Sequence, residues 1–260
     1  MLRININAAD IRKKGKFQSE RRTQALYNEP VEIIKKGQHY SQVSLYDGFR
    51  GYINNFFFSE SNDQGGFDYI IRATLTPAYT APDFQAPIVT QLPFAAKLAA
   101  TPANDQFVIT HSHRYGEIYL KCGDLILASE APVLTKDKVP ELIELAKRFM
   151  GVPYLWGGRT YFGVDCSGFV AIIYRYYGIT LPRKSKWQSE IGKSVSQANI
   201  EPGDLIYFRK HVGIALSRYD YLDASLSKGG VHINTIDPSK KGYLKYRDQT
   251  MRAVRRMTVD

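Results

Sequence analysis

Cys166, His211 and Asp223 are the residues whose types and spacing could carry covalent chemistry in this chain. Cys166 lies in Asp165-Cys-Ser-Gly-Phe-Val, where a glycine-rich turn gives way to an apolar helix. Asp165 can cap that helix, which places the thiol among unpaired backbone N–H groups at the positive end of the helix dipole. Such a place favours the reactive thiolate. The same N–H groups can stabilise an oxyanion on an attacked carbonyl, an effect commonly worth about 10²–10³ in rate per donor. The plainer alternative is a buried cysteine acting as a small hydrophobe, and the helix start with its flanking glycines favours the nucleophile over it.

A thiol nucleophile needs a base. His211 opens the apolar run His-Val-Gly-Ile-Ala-Leu, in which His211, Gly213 and Ala215 share one face of a strand and the small residues leave room over the imidazole. Asp223, twelve residues on, is the candidate to fix the tautomer and orientation of that imidazole. A four-residue connection, Ser217 to Asp220, would put the carboxylate on the opposite face. The assignment therefore requires an odd-length connection or a bulge.

His232 alternates with Val231 and Ile233, so it faces either solvent or the third position of the triad, as the rival of Asp223. His111 and His113, in a polar turn, are read as surface residues, and Cys122, with no helix start behind it, as structural. No metal site and no cofactor is expected. Tyr154 and Trp156 crowd the glycines before Cys166 and are expected to line a pocket.

The elements that must position these groups are legible as α+β. Leu142, Leu145, Ala146 and Phe149 recur at helical spacing before Gly151, and Phe169 to Tyr177 forms an almost wholly apolar helix ending at Gly178. Four strands punctuated by Pro-Gly and Gly-Gly follow, around Leu205, His211, Tyr221 and Val231. The first half instead shows short β-branched and aromatic runs separated by turn signals, the pattern of two consecutive small β modules. Expected boundaries are 1–64, 65–133 and 134–260.

The chain has 260 residues and 44% hydrophobic content, enough for one large or two to three small domains with proper cores. No window approaches the roughly 20 apolar residues of a membrane span. The N-terminus lacks the pattern of a secretory signal and the two cysteines do not make a disulfide scaffold. A reduced, cytoplasmic compartment is therefore expected, with export by another route left open. The net charge of +10, from 35 basic and 25 acidic residues, fits either an anionic partner or simply a solvated basic surface. Lysines and arginines are dispersed, which argues against nucleic acid.

The spaced pattern Pro153-Tyr-Leu-Trp-Gly-Gly, Asp165-Cys-Ser-Gly-Phe-Val, Leu181-Pro-Arg, Ser185, Gln188, Pro202-Gly-Asp-Leu-Ile-Tyr-Phe, His211-Val-Gly-Ile-Ala-Leu, Asp223-Ala-Ser and Gly229-Gly-Val resembles the NlpC/P60 cysteine peptidases. The match runs from about Val139 to Met257. The upstream modules resemble the bacterial SH3-type domains that precede this domain in γ-D-glutamyl-L-diamino acid endopeptidases.

The resemblance implies a papain-like catalytic domain preceded by two small SH3-like β-barrels. It also implies cleavage of the bond between D-glutamate and a diamino acid in peptidoglycan stem peptides or muropeptides. Cys166 matches the nucleophile, His211 the base, and Tyr154 a tyrosine whose hydroxyl lies near the thiolate. Asp165, Ser167, Arg183 and Ser185 match residues of the substrate site, together with Trp156. If the SH3-type modules pack against the cleft, Tyr52 is a candidate wall residue that would limit substrate length.

Two positions depart from the family pattern. Asp223 stands where a histidine is usual, and Lys184 stands where an aspartate binds a substrate's free amine. The altered third residue leaves a second expectation open, a peptidoglycan-binding protein with an inactive catalytic domain.

Overall fold

The computed structural model describes residues 1–61 and 66–258. It divides into two compact units, Met1–Ala131 and Pro132–Asp260. The expected boundary between residues 64 and 65 lies outside the described residues.

The first unit is built from short antiparallel strands. One five-stranded sheet runs in the order Arg21–Leu26, Ala8–Arg12, Arg50–Asn54, Tyr40–Leu45, Val31–Lys35. Alternate residues of these strands (Ala9, Ile11, Val43, Leu45, Ile53) point inward to one apolar cluster, as period-two patterning requires. A second set of strands between Tyr69 and Leu127 encloses another cluster that includes Ile71, Leu92, Leu98, Ile118 and Leu120. Cys122 packs half-buried against this second cluster. His111 and His113 are both exposed.

The second unit sets helices on an antiparallel sheet. Helix α1 (Val139–Lys147) has Pro140 in its first turn and buries Leu142, Leu145 and Ala146; Gly151, at φ +80°, lies past its end. Helix α2 (Cys166–Tyr176) is buried along nearly its whole length, from Cys166 to Tyr174, and Gly178 follows it at φ +79°. Short helices α3 (Ser185–Gln188) and α4 (Lys245–Gln249) flank the sheet strands in sequence.

The sheet strands are β1 (Lys193–Val195), β2 (Leu205–Phe208), β3 (His211–Ala215), β4 (Asp220–Ser225), β5 (Gly230–Thr235) and β6 (Met251–Arg256). They are ordered β1-β6-β2-β3-β4-β5, with every neighbouring pair antiparallel. Helix α2 packs on β3 and β4, so the start of the helix and the start of β3 belong to one layer interface.

Strands β2 to β5 occupy the four runs read from the sequence. Strand β6 was not foreseen. In Met251-Arg-Ala-Val-Arg-Arg only Val254 is buried, and Arg256 is held instead by a fork of hydrogen bonds to the buried Asp204, at 2.8 and 2.9 Å. A strand carried by charge pairing leaves no apolar alternation to read.

The turn before α2 lies directly against the helix. A Cβ built on Gly168 would come 2.1 Å from the carbonyl oxygen of Gly158, a contact no side chain tolerates. Gly168→Ala should therefore push the turn off the helix and destabilise the C-terminal unit by about 2 kcal/mol. Chemical denaturation would read this directly, and an unchanged midpoint would show that the turn is not pinned there.

Candidate active site

The site starts from one carboxylate. Asp165, extended at φ −97° and ψ 172°, caps α2 by accepting the Gly168 N–H on Oδ1 at 2.8 Å. Its Oδ2 accepts the Gly157 N–H at 2.9 Å, which ties the glycine turn to the helix end. The Arg183 guanidinium closes on the same carboxylate as a fork, Nη1 to Oδ1 at 3.0 Å and Nη2 to Oδ2 at 2.5 Å, and Nη1 also donates to Ser167 Oγ at 2.7 Å. Ser167 Oγ in turn donates to Asp165 Oδ1 at 3.2 Å. All three residues are buried.

The sequence expectation placed Asp165, Ser167 and Arg183 in the substrate site. Here their polar groups are engaged with one another, and what they do in the structure is hold the thiol-bearing turn. Gln188 completes this set by donating from Nε2 to the carbonyls of Ser167 (3.1 Å) and Pro182 (2.8 Å). The sequence pattern contains Gln188, but its role shows only once α3 is folded back. Ser185 opens α3 half-buried, two residues beyond Arg183.

Cys166 sits at the first position of α2, 8% exposed. His211 approaches it from the start of β3, and the sulfur is among the groups that raise the pKa of the imidazole. The other side of the ring is fixed: His211 Nε2 pairs with Asp223 Oδ2. Nδ1 is thus the nitrogen left to serve the thiol.

Register explains how Asp223 reaches it. Ala215 pairs with Tyr221 and Ile214 with Leu222, so the connection from residue 216 to 220 is odd in length and His211, Gly213, Tyr221 and Asp223 share a face. Gly213 stands opposite Asp223, where an added Cβ would come 3.2 Å from that of Asp223 and 2.7 Å from the Tyr221 ring.

Asp223 has a second partner that sequence reasoning missed. Asn234 Nδ2 donates to Asp223 Oδ1 at 2.5 Å from the neighbouring strand β5. The signal was present, since Asn234 lies two residues from His232 and shares its face. His232 itself pairs with Asp223 across the strands, on the site's face, while the imidazole that Asp223 holds is that of His211.

Electrostatics follows from this packing. Burial alone would push the His211 pKa down, but hydrogen bonds to Asp223 and Cys166 and their negative charges outweigh it, and the value rises to about 9. Tyr154 is half-buried on the strand-like segment that pairs with the start of β5, its N–H bonded to Gly229 O at 2.8 Å. Burial, reinforced by the charges of Cys166 and Asp165, pushes its hydroxyl up to about 12, so it is a neutral donor near the sulfur. Trp156, two residues on, is 57% exposed.

A nucleophile at a helix start, a base and a carboxylate in series are what acyl transfer requires. The family described as NlpC/P60 matches this chain over residues 151–253, a span that contains every group named above. Residues 151–253 are thus similar to the NlpC/P60 family. Within this region the chain is 47% identical over 73 residues to the gamma-D-glutamyl-L-lysine dipeptidyl-peptidase of Bacillus cereus (strain ATCC 10987 / NRS 248), covering 28% of this chain and 22% of that protein.

It is also 42% identical over 104 residues to the murein DD-endopeptidase MepS/murein LD-carboxypeptidase of Escherichia coli (strain K12), covering 37% and 55%. The chain thus spans well under two thirds of either relative. The crystal structure of an NlpC/P60 family protein from Bacillus cereus ATCC 10987 has the same fold over 98% of both chains, with a TM-score of 0.85 at 19% identity. Both units of the present chain therefore have counterparts in one solved fold.

Removing Arg183 would leave the Asp165 carboxylate buried beside the turn with its strongest partner gone. Arg183→Ala should destabilise the C-terminal unit by about 3–5 kcal/mol. Urea unfolding measures this, and a loss under about 1 kcal/mol would show that the fork is dispensable.

Proposed function

We propose that the chain is a cysteine peptidase that hydrolyses the γ-D-glutamyl–diamino acid bond of peptidoglycan stem peptides. The observation that carries this reading is the series Cys166, His211, Asp223 at the start of α2 and on facing strands. The choice of bond is supported by the name of the Bacillus cereus relative, and the cell-wall substrate by that of the Escherichia coli one.

In this reading the Cys166 sulfur attacks the γ-carbonyl of the glutamyl residue while the proton resides on His211 Nδ1. The tetrahedral oxyanion faces the first turn of α2, where helix geometry leaves the N–H groups of Cys166 and Ser167 without intrahelical acceptors. The neutral Tyr154 hydroxyl is a further donor. Collapse transfers the proton from the imidazolium to the departing amine and leaves a thioester. Water, deprotonated by His211, then releases the glutamyl product and restores the thiol.

Asp223 keeps Nδ1 turned to the sulfur throughout and balances the imidazolium, and Asn234 keeps Asp223 in place. A carboxylate serves this purpose at least as well as the histidine usual at the position, so the altered residue is consistent with an active enzyme. The N-terminal unit, with two antiparallel assemblies each around its own apolar cluster, is read as a pair of SH3-type modules.

Lys184 bears on selectivity. Its ammonium lies 4.5 Å above the Trp187 ring and offers no acceptor for a substrate amine. A free N-terminal L-alanine is therefore not required, and glycan-linked stem peptides are acceptable substrates.

The test is to incubate the protein with L-Ala-γ-D-Glu-diaminopimelate and its L-lysine counterpart, free and glycan-linked, and to identify products by mass spectrometry. Wild type should release the diamino acid, Cys166→Ala should release none, and Asp223→Asn should be slower by roughly 10²-fold. Release of no product by wild type from any of the four substrates would overturn the reading.

A further inference from the structure

Helix α4 brings one more charge to the site. Its ends are tied to the sheet by two backbone hydrogen bonds of 3.1 Å, Leu244 N–H to Thr235 O at the end of β5, and Arg209 N–H to Thr250 O in the turn between β2 and β3. This seats the Arg247 guanidinium over the Phe208 ring, its Cζ 5.7 Å from the ring centre. Phe208 is itself stacked beside the catalytic imidazole, with its ring centre 6.2 Å from that of His211 and 5.1 Å from that of Tyr221. Arg247 thus reaches the site from the side of the imidazole. Its charge is felt at the hydroxyls of both Tyr154 and Tyr221.

Among the described residues the Arg247 side chain has no hydrogen-bond or ion-pair partner. The nearby acids are already engaged. Asp223 is held between His211 and Asn234, and Asp248 accepts the Tyr243 hydroxyl at 2.6 Å. A half-buried guanidinium on an aromatic face, with five donors and no acceptor, is complementary to a carboxylate.

The position relative to the reaction selects which carboxylate. His211 must hand its proton to the departing amine, so groups clustered on the imidazole side attend the leaving residue. We infer that Arg247 binds the α-carboxylate of the amino acid released by cleavage, and so selects substrates that end in a free acid after the scissile bond. This rests on the peptidase reading above. It adds a subsite for a substrate anion, formed by α4 and the Phe208 ring.

The experiment compares wild type, Arg247→Met and Arg247→Lys on three substrates: L-Ala-γ-D-Glu-L-Lys as the free acid, the same tripeptide with a C-terminal amide, and a variant whose glutamyl α-carboxylate is amidated. Arg247→Met keeps the aliphatic stem over Phe208, and its thermal midpoint should match wild type. Its kcat/KM on the free acid should fall at least about tenfold, chiefly through KM, as expected for the loss of one charge-assisted contact. On the C-terminal amide the two proteins should be alike, and Arg247→Lys should recover part of the loss.

Equal losses on acid and C-terminal amide, or no loss on either, would overturn the inference while leaving the peptidase reading intact. A loss that vanishes only when the glutamyl carboxylate is amidated would overturn the assignment to the leaving side. Failure of wild type to cleave any of the three would instead overturn the peptidase reading, and the inference with it.

Discussion

The buried fork between Asp165 and Arg183 is the contact on which the site depends. A carboxylate in the interior is tolerable only if its lone pairs are filled, and here they are filled by groups from three separate segments: the glycine turn, the first turn of α2 and the approach to α3. Each donor therefore fixes the position of the segment it belongs to. The thiol follows from this, because Cys166 is the residue next to the anchored cap. Substituting either partner alone would leave an uncompensated charge rather than a simple gap.

A second buried carboxylate organises the opposing wall. Asp223 is reached by His211 from one strand and by Asn234 from the other, so a single side chain sets the orientation of the His211 imidazole and staples β3, β4 and β5 at that level. The absence of a side chain at Gly213 is part of the same arrangement, since a Cβ there would press on both Tyr221 and Asp223. The sulfur and the imidazole come together where α2 packs on β3 and β4. The thiol and the imidazole thus sit between two polar clusters, each satisfied without the other.

How much of this was legible depended on the kind of signal. Cys166 and His211 could be read because a cap, a glycine turn and small residues on one strand face have local causes that a sequence displays. The partnership of Asp223 with His211 hinged on register, which period-two patterning reduced to a choice of connection length, and the odd-length choice is the one found. Asn234, Gln188 and Arg247 were not assigned roles, for each acts through a contact between elements distant in sequence. Asp165, Ser167 and Arg183 were read as residues of the substrate site, and the fold turns their polar groups toward one another. Strand β6 escaped for a related reason, being held by Arg256 and Asp204 instead of by an apolar face.

The central claim is that His211 forms one coupled unit with Cys166 and Asp223. The most direct measurement is an NMR titration of the ¹⁵N-labelled His211 ring in the intact protein. Opposed by burial but raised by both partners, the imidazolium should persist at neutral pH and be lost only as the pH rises through about 9. Cys166→Ala should lower that midpoint, because a hydrogen bond and a negative charge are removed together. A His211 ring that titrates near its ordinary 6.5 in wild type, or that is indifferent to removal of the sulfur, would contradict the account.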